Sequence, residues 1–401
     1  MSTHIIFQYS LRPRRSIMSW APWLFSIRGV KPDLVYKDTA TNKAILDHCP
    51  ILRQELTPPW FLFNGHLQSA ASVRPHLNAK VDYDREIVGL SDGGIVSLDW
   101  VVHPTNTYAP NHPTILVHGG SGGSSRDPYI QLTVKALAAQ GWRVVVMNMR
   151  GCGNTPILTA RCPNGNYTQD IRDIVVHLRT TVVQSGPLIA LGYCAGANLF
   201  VKFAGEEGEA CQLTAMVSIS NFYDMQAVVE SLNATYYNRY VYNTAVASAI
   251  KRQFFKNRAN LDPFQNLPQY DLERLENAAT LQDLDEIMSR RNDGYDSLDE
   301  FYRDASCVRY MEAVRIPLLC ISALNDPFVT PEMIPDHMSI ANDRIMFAKT
   351  ASGGHLGFFH GDGTDMWTSD VIHQYCAAVL DVTKVLKEPA SDAMTMAASA
   401  A

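Results

Sequence analysis

From about residue 84 the chain alternates short apolar runs with segments of helical spacing. Arg85-Glu86-Ile87-Val88-Gly89-Leu90 and Ile95-Val96-Ser97-Leu98-Asp99-Trp100-Val101-Val102 flank Asp92-Gly93-Gly94, a pattern that predicts a hairpin. Thr114-Ile115-Leu116-Val117-His118 reads as a buried strand that runs into a glycine-rich loop, Gly119 to Ser124. A helix is predicted through Leu132 to Gln140, a strand over Arg143 to Asn148 and a helix from Asp170 to Val183. The apolar run Gly186 to Leu191 comes next, then helical spacing over Asn198 to Ala204, then strands over Leu213 to Ile219 and Pro317 to Ser322. Repeated strand-helix-strand units of this length imply an α/β fold, with a mostly parallel, doubly wound sheet covered by helices on both faces.

Residues from about 222 to 312 break this rhythm. They are charged, helical in period and rich in tyrosine, including Tyr236, Tyr237, Tyr240 and Tyr242. So long an insertion between two strands is expected to form a helical cap over the carboxyl edge of the sheet, where α/β folds carry their functional loops. A purely structural helical layer is the alternative. The expected organisation is therefore an N-terminal arm (1–56), a first part of the core (57–221), the cap (222–312), a second part of the core (313–388) and a disordered tail of low complexity (389–401).

Composition narrows the function classes. The 401 residues are 46% hydrophobic and 18% charged, which suits a soluble globular enzyme, and the net charge of -6 gives no attraction for nucleic acid. The eight cysteines show neither CxxC pairs nor metal-ligand spacing, so the expectation is a reduced, intracellular and cytoplasmic setting with no metal and no cofactor. The first 32 residues are basic and contain no acidic residue. Their apolar patch, Ile17 to Phe25, is too short to span a bilayer and is broken by Pro22. A mitochondrial presequence, a weak membrane-peripheral anchor through Trp20 and Trp23, and a surface arm are the readings left open.

The chemistry concentrates at Gly192-Tyr193-Cys194-Ala195-Gly196, which reads as a nucleophile elbow with cysteine in the place of serine. It lies between a buried strand and a helix, as an elbow requires. An elbow predicts its partners in the order nucleophile, acid, histidine. Asp326, in Asn325-Asp326-Pro327, follows the late strand, and His355 lies in the loop Ser352-Gly353-Gly354-His355-Leu356-Gly357-Phe358. His360 is the competing histidine, but it lacks that glycine-rich setting. In this assignment His355 takes the thiol proton or holds an ion pair, Asp326 fixes the ring tautomer, and Cys194 carries an acyl group as a thioester. Backbone donors for the tetrahedral oxyanion are expected at Ala195 and at Gly119 or Gly120. No Walker lysine follows Gly119, which disfavours a nucleotide site. Arg150 reads as a structural anchor, with a substrate carboxylate as the other reading.

Taken in order, Pro58-Pro59-Trp60, Asn64-Gly65-His66-Leu67-Gln68, Ser91-Asp92-Gly93-Gly94, Leu98-Asp99-Trp100, His118 to Ser124, Asn148-Met149-Arg150-Gly151-Cys152-Gly153, the elbow, Asn325-Asp326-Pro327 and Gly353 to Phe358 carry a resemblance. Over roughly residues 50 to 385 the chain resembles the α/β-hydrolase family that includes abhydrolase-domain proteins 1 and 3, bacterial YheT-type hydrolases and the yeast medium-chain ethyl ester synthase/esterases. The resemblance implies an α/β-hydrolase fold, a triad on Cys194, Asp326 and His355, and esterase, phospholipase or alcohol O-acyltransferase activity. The family usually carries serine where this chain has Cys194. An acyl-thioester is more electrophilic toward alcohols, amines and thiols than an oxygen ester, and thioester substrates match thiol attack energetically. The expectation is an ester or thioester hydrolase or acyltransferase of lipid or polyketide-type metabolism, whose partners are a small acyl substrate and an alcohol or amine acceptor. The competing class is a noncatalytic ligand-binding protein that retains the pocket.

Overall fold

Strands dominated by apolar residues have to be covered on both faces, and six of them, buried along almost their whole length, form the centre of the molecule. The computed structural model describes residues 28–74, 80–102, 108–256, 258–265, 267 and 271–387. In chain order the main strands are β1 (Asp33–Tyr36), β2 (Tyr83–Gly89), β3 (Ile95–Val101), β4 (Thr114–His118), β5 (Arg143–Asn148), β6 (Leu188–Tyr193), β7 (Ala215–Ile219), β8 (Leu318–Ala323) and β9 (Ile345–Thr350). They make one nine-stranded sheet in the order β1-β9-β8-β7-β6-β4-β5-β3-β2. Neighbours from β5 through β9 pair in parallel, while β2, β3 and β1 join antiparallel at the two edges.

The two-residue period of a strand divides the core. Leu116 and Val145 face one layer, which holds Phe200 and Phe203, whereas Ile115, Val117, Val144 and Val146 face the other. The helices that bear on the site are α1 (Ala40–Asp47), α2 (Gly65–Val73), α3 (Pro128–Ala139), α4 (Gln169–Thr181), α5 (Ala195–Glu207), α6 (Met225–Ala234), α7 (Thr244–Phe255), α8 (Leu298–Ala305) and α9 (Trp367–Lys387).

The alternation of sequence signals maps onto this order, and the departures have local causes. Helix α3 begins four residues before the predicted Leu132, because Pro128 fits the first turn of a helix, where no N–H is needed. Helix α5 starts at Ala195, directly after Cys194, rather than at Asn198. Asp33–Tyr36, assigned by sequence to an N-terminal arm, is an edge strand of the sheet: its backbone pairs with β9, Leu34 opposite Ala348 and Tyr36 opposite Met346. Helix α9 was not foreseen. Its Val371, Ile372, Tyr375 and Val379 are fully buried against one face of the sheet. The apolar patch of residues 17–25 and the tail of residues 389–401 lie outside the described residues.

Between β7 and β8 the chain is helical: α6, a π-helical turn at Asn238–Asn243, α7, a second π-helical turn at Asp285–Ser289, and α8. Phe254, Leu275, Leu284 and Met288 make a small core of their own, joined by Ile157 and Cys162 from the loop after β5. This layer touches the carboxyl edge at the loop after β4, where Gln253 Nε2–H donates to the Gly122 carbonyl at 2.7 Å. No described helix is long and apolar enough to cross a membrane.

Candidate active site

Tyr193 ends a strand and Ala195 begins a helix, so Cys194 alone makes the turn. It does so at φ 50° and ψ -114°, in the left-handed region that a side chain disfavours. The surroundings hold it there. Its N–H donates to the Ile219 carbonyl of β7 at 2.9 Å, and its carbonyl accepts from Asn198 N–H at 3.1 Å. Gly196 N–H donates to the Gly119 carbonyl at 3.1 Å, and a Cβ at Gly196 would collide with that same carbonyl, so the elbow and the loop after β4 require glycine for their approach. Asn198 bridges further, donating to the Gly165 and Ala305 carbonyls at 2.9 and 2.7 Å.

Asp326 and His355 come to this point from the loops after β8 and β9, beyond β7 in the sheet. Asp326 follows β8, and its Oδ1 accepts from the N–H groups of Phe328 and Val329 at 2.7 and 3.1 Å. Its Oδ2 accepts from His355 Nδ1–H at 2.8 Å, which leaves Nε2 as the free nitrogen of the ring, and the Cys194 sulfur lies near enough to strengthen the ring's hold on its proton. The His355 loop rests on α2. Ser69 Oγ accepts from His355 N–H at 2.7 Å, and Gln68 Oε1 accepts from Phe359 N–H at 2.9 Å. Asn325 Oδ1 accepts from Gly353 and Gly354 N–H at 3.1 and 2.9 Å, tying the acid loop to the histidine loop. Gly65 lies so close under the Asn325 carbonyl that a Cβ has no room.

Burial opposes charge on the His355 ring, but the Asp326 carboxylate and the Cys194 sulfur hold its proton, so its pKa rises to about 10. The charged form of the ring is therefore favoured at neutral pH. Burial pushes the thiols of Cys49, Cys152 and Cys320 up to about 12 and that of Cys211 up to about 11.

Structure thus brings together three of the sequence-predicted residues, Cys194, Asp326 and His355. His360 instead lies in a two-residue strand whose backbone pairs with Asp365, and is half-buried there. The expected backbone donors divide. Ala195 N–H opens the first turn of α5, where its own helix offers no acceptor. Gly120 packs against Cys194, its missing Cβ position lying 3.8 Å from the sulfur, yet its N–H donates to the Tyr129 hydroxyl at 3.0 Å. The Gly119 carbonyl is occupied by Gly196 N–H and by His118 Nδ1–H, the latter at 2.8 Å. Arg150 is an anchor: its guanidinium is bonded to Asp92, Asp170 and Thr159.

Of the four tyrosines singled out in the insertion, Tyr236, Tyr237 and Tyr240 are exposed. Tyr242 reaches inward, its ring 4.7 Å from that of Phe328, which in turn lies 4.4 Å from the His355 ring. The Tyr242 hydroxyl is bonded to His66 Nδ1. Sequence reasoning missed Tyr242, Phe328 and Ser69 as neighbours of the site. The Asn64 to Gln68 motif was a signal that pointed to part of it. Among the described residues no group of three His, Cys, Asp or Glu side chains could hold a metal ion.

A model of the alpha/beta hydrolase fold family matches residues 113–362, more than half of the chain. The chain is similar to phospholipase ABHD3 of Mus musculus, 29% identical over 349 residues that cover 86% of this chain and 83% of that protein. An abhydrolase domain-containing protein of Dictyostelium discoideum is 28% identical over 387 residues, 94% of each chain. Monoacylglycerol lipase ABHD2 of Danio rerio is 29% identical over 365 residues, 87% of this chain and 83% of that protein. Among solved structures, the Pyrococcus furiosus esterase Pf2001 aligns at a TM-score of 0.46 and 13% identity, covering 71% of this chain and 87% of its own.

Proposed function

This chain belongs to the alpha/beta hydrolase fold family, and from that premise we propose that it processes acyl esters or thioesters through a covalent acyl-Cys194 intermediate. The observation that carries the reading is the Cys194 elbow in its strained conformation, with the His355 ring hydrogen-bonded to Asp326 and within electrostatic reach of the Cys194 sulfur. A noncatalytic pocket has no use for that strain or for a buried histidine held between an acid and a thiol.

In the proposed sequence the Cys194 sulfur attacks the acyl carbonyl while its proton rests on His355 Nε2. The oxyanion that forms is met by Ala195 N–H and by the backbone at Gly119 and Gly120, where use of the Gly120 donor requires its bond to Tyr129 to be exchanged. His355 then protonates the departing alkoxide or thiolate, and the thioester remains on Cys194. An acceptor gives its proton to His355, attacks the thioester and leaves with the acyl group, restoring the thiol. Water as acceptor makes the enzyme a hydrolase; an alcohol or amine makes it a transferase. Mouse ABHD3 is named a phospholipase and zebrafish ABHD2 a monoacylglycerol lipase, which supports lipid-derived acyl groups as the substrate class.

Incubation with an acyl thioester, acid quenching and peptide mapping should find the acyl mass on the peptide containing Cys194. The thiols of Cys49, Cys152, Cys211 and Cys320 are pushed up by burial and should stay unmodified. Turnover without any adduct at Cys194 rules out the covalent route.

A second test uses pH. The raised His355 pKa keeps the ring charged, and able to protonate a leaving group, until the pH passes about 10. Acylation by an alkyl ester, whose leaving group needs that proton, should therefore fall away above about 10 once background hydrolysis is subtracted. Acylation by a nitrophenyl ester, whose leaving group departs as an anion, should show no such fall. Identical alkaline limbs for the two would remove His355 as the acid.

A further inference from the structure

One cavity runs from the Gly120 and Ala195 backbone at the elbow to the inside of the helical layer, where Leu281, Leu284 and Met288 line it. The cavity begins at Gly120, which packs against Cys194, and placing the acyl chain of a Cys194 thioester in it makes the inference rest on the proposed acyl-enzyme. The lining is not purely hydrocarbon. Asp285 stands in it, 4% exposed, at the start of the second π-helical turn, a distortion often found at functional sites. Burial raises its pKa to about 7, against the smaller, opposite effect of the Ser289 and Tyr302 hydroxyls beside it. Even so, Asp285 Oδ2 closes no hydrogen bond among the described residues, and neither does the Tyr302 hydroxyl.

His118 stands at the elbow end of the same cavity and poses the same question. Its Nδ1 faces the Gly119 carbonyl, which can only accept, so Nδ1 carries the proton and Nε2 presents a lone pair. Nε2 is buried and has no partner among the described residues. Burial pushes the ring's pKa down, so it stays neutral. Buried polar atoms are nearly always satisfied, and two acceptor atoms that close no hydrogen bond along one cavity are open to a donor carried by a bound group.

We propose that this cavity selects acyl groups bearing a hydroxyl, whose O–H donates to Asp285 in the helical layer or to His118 near the elbow. A plain alkyl chain would fill the apolar wall and leave both acceptors unpaired. A hydroxylated chain of equal length would satisfy one of them at little cost in contact.

The test is a set of thioesters of one chain length, unsubstituted or with a single hydroxyl moved stepwise along the chain, with Cys194 acylation followed by intact mass on the full-length protein. At least one hydroxylated isomer should acylate about tenfold or more faster, as kcat/KM, than the unsubstituted chain. If the preferred hydroxyl lies far from the carbonyl, Asp285→Leu should abolish the preference and Asp285→Asn, which keeps a hydrogen-bonding group, should retain part of it. If it lies next to the carbonyl, His118→Phe should abolish it instead. The comparison within the unmodified protein needs no variant to fold. Acylation of Cys194 at one rate by every member, or a preference that survives both Asp285→Leu and His118→Phe, overturns the hydroxyl reading and leaves the acyl-enzyme standing. Failure of every thioester to acylate Cys194 overturns both.

Discussion

Cys194→Ala should lower single-turnover hydrolysis of a responsive ester on the order of 10^4-fold or more, and His355→Ala should do nearly as much damage. The double variant should then be little worse than either single one. The reason lies in the shared proton. Cys194 without His355 has no group placed to hold its proton or return it to the leaving group, and His355 without Cys194 has nothing to activate. Asp326→Asn should cost less than either, because the side chain can still receive Phe328 and Val329 N–H at the same positions, while the carboxylate that holds the His355 proton is lost. His360→Ala should leave the rate near that of the unmodified protein, since His360 sits in a separate two-strand hairpin and not with Asp326. Losses for Cys194 and His355 that multiply in the double variant would mean that the two residues act in separate steps, and the proposed unit would have to be abandoned.

Arg150→Met should destabilise the fold by about 3–5 kcal/mol. The guanidinium is 2% exposed and makes charge-assisted bonds of 2.7–2.8 Å to both carboxylate oxygens of Asp170 and of Asp92. Asp170 is 1% exposed, so removing the arginine leaves a carboxylate with neither water nor a counter-charge. Asp92 is partly solvated and contributes less. Urea denaturation of Arg150→Met should show a lower midpoint at an unchanged slope, and adding Asp170→Asn should recover part of the loss. A change below about 1 kcal/mol would mean that the network is structurally dispensable. The loss should reach the site, because the chain from Arg150 to Asp170 includes Gly165, whose carbonyl receives Asn198 of α5 at 2.9 Å.

Much of this protein was legible along the chain. Strands β4 and β5 begin and end where their apolar runs and flanking polar residues mark them, because a strand covered on both faces is built mainly of apolar residues. Cys194, Asp326 and His355 could be picked out because each follows a strand at the same sheet edge, and the parallel topology forces those three loops together. The glycines around them were visible too, as sites where backbones approach closely.

The rest depended on contacts that no local pattern encodes. Asp33–Tyr36 is a strand because β9 offers it an open edge more than 300 residues later in the sequence. The pattern of the insertion announced helices and tyrosines, but not that Tyr242 would turn toward Phe328 while Tyr240 faces solvent. Nor could it tell that Gly120 N–H would meet the Tyr129 hydroxyl, or that Asp285 would be carried into the cavity with Oδ2 unpaired. Periodicity and turn residues determine elements and their order, because those depend on neighbours a few positions away. The direction of a side chain at an element's end, and the water or protein it meets there, is decided by packing between distant segments, and that existed only once the chain had folded.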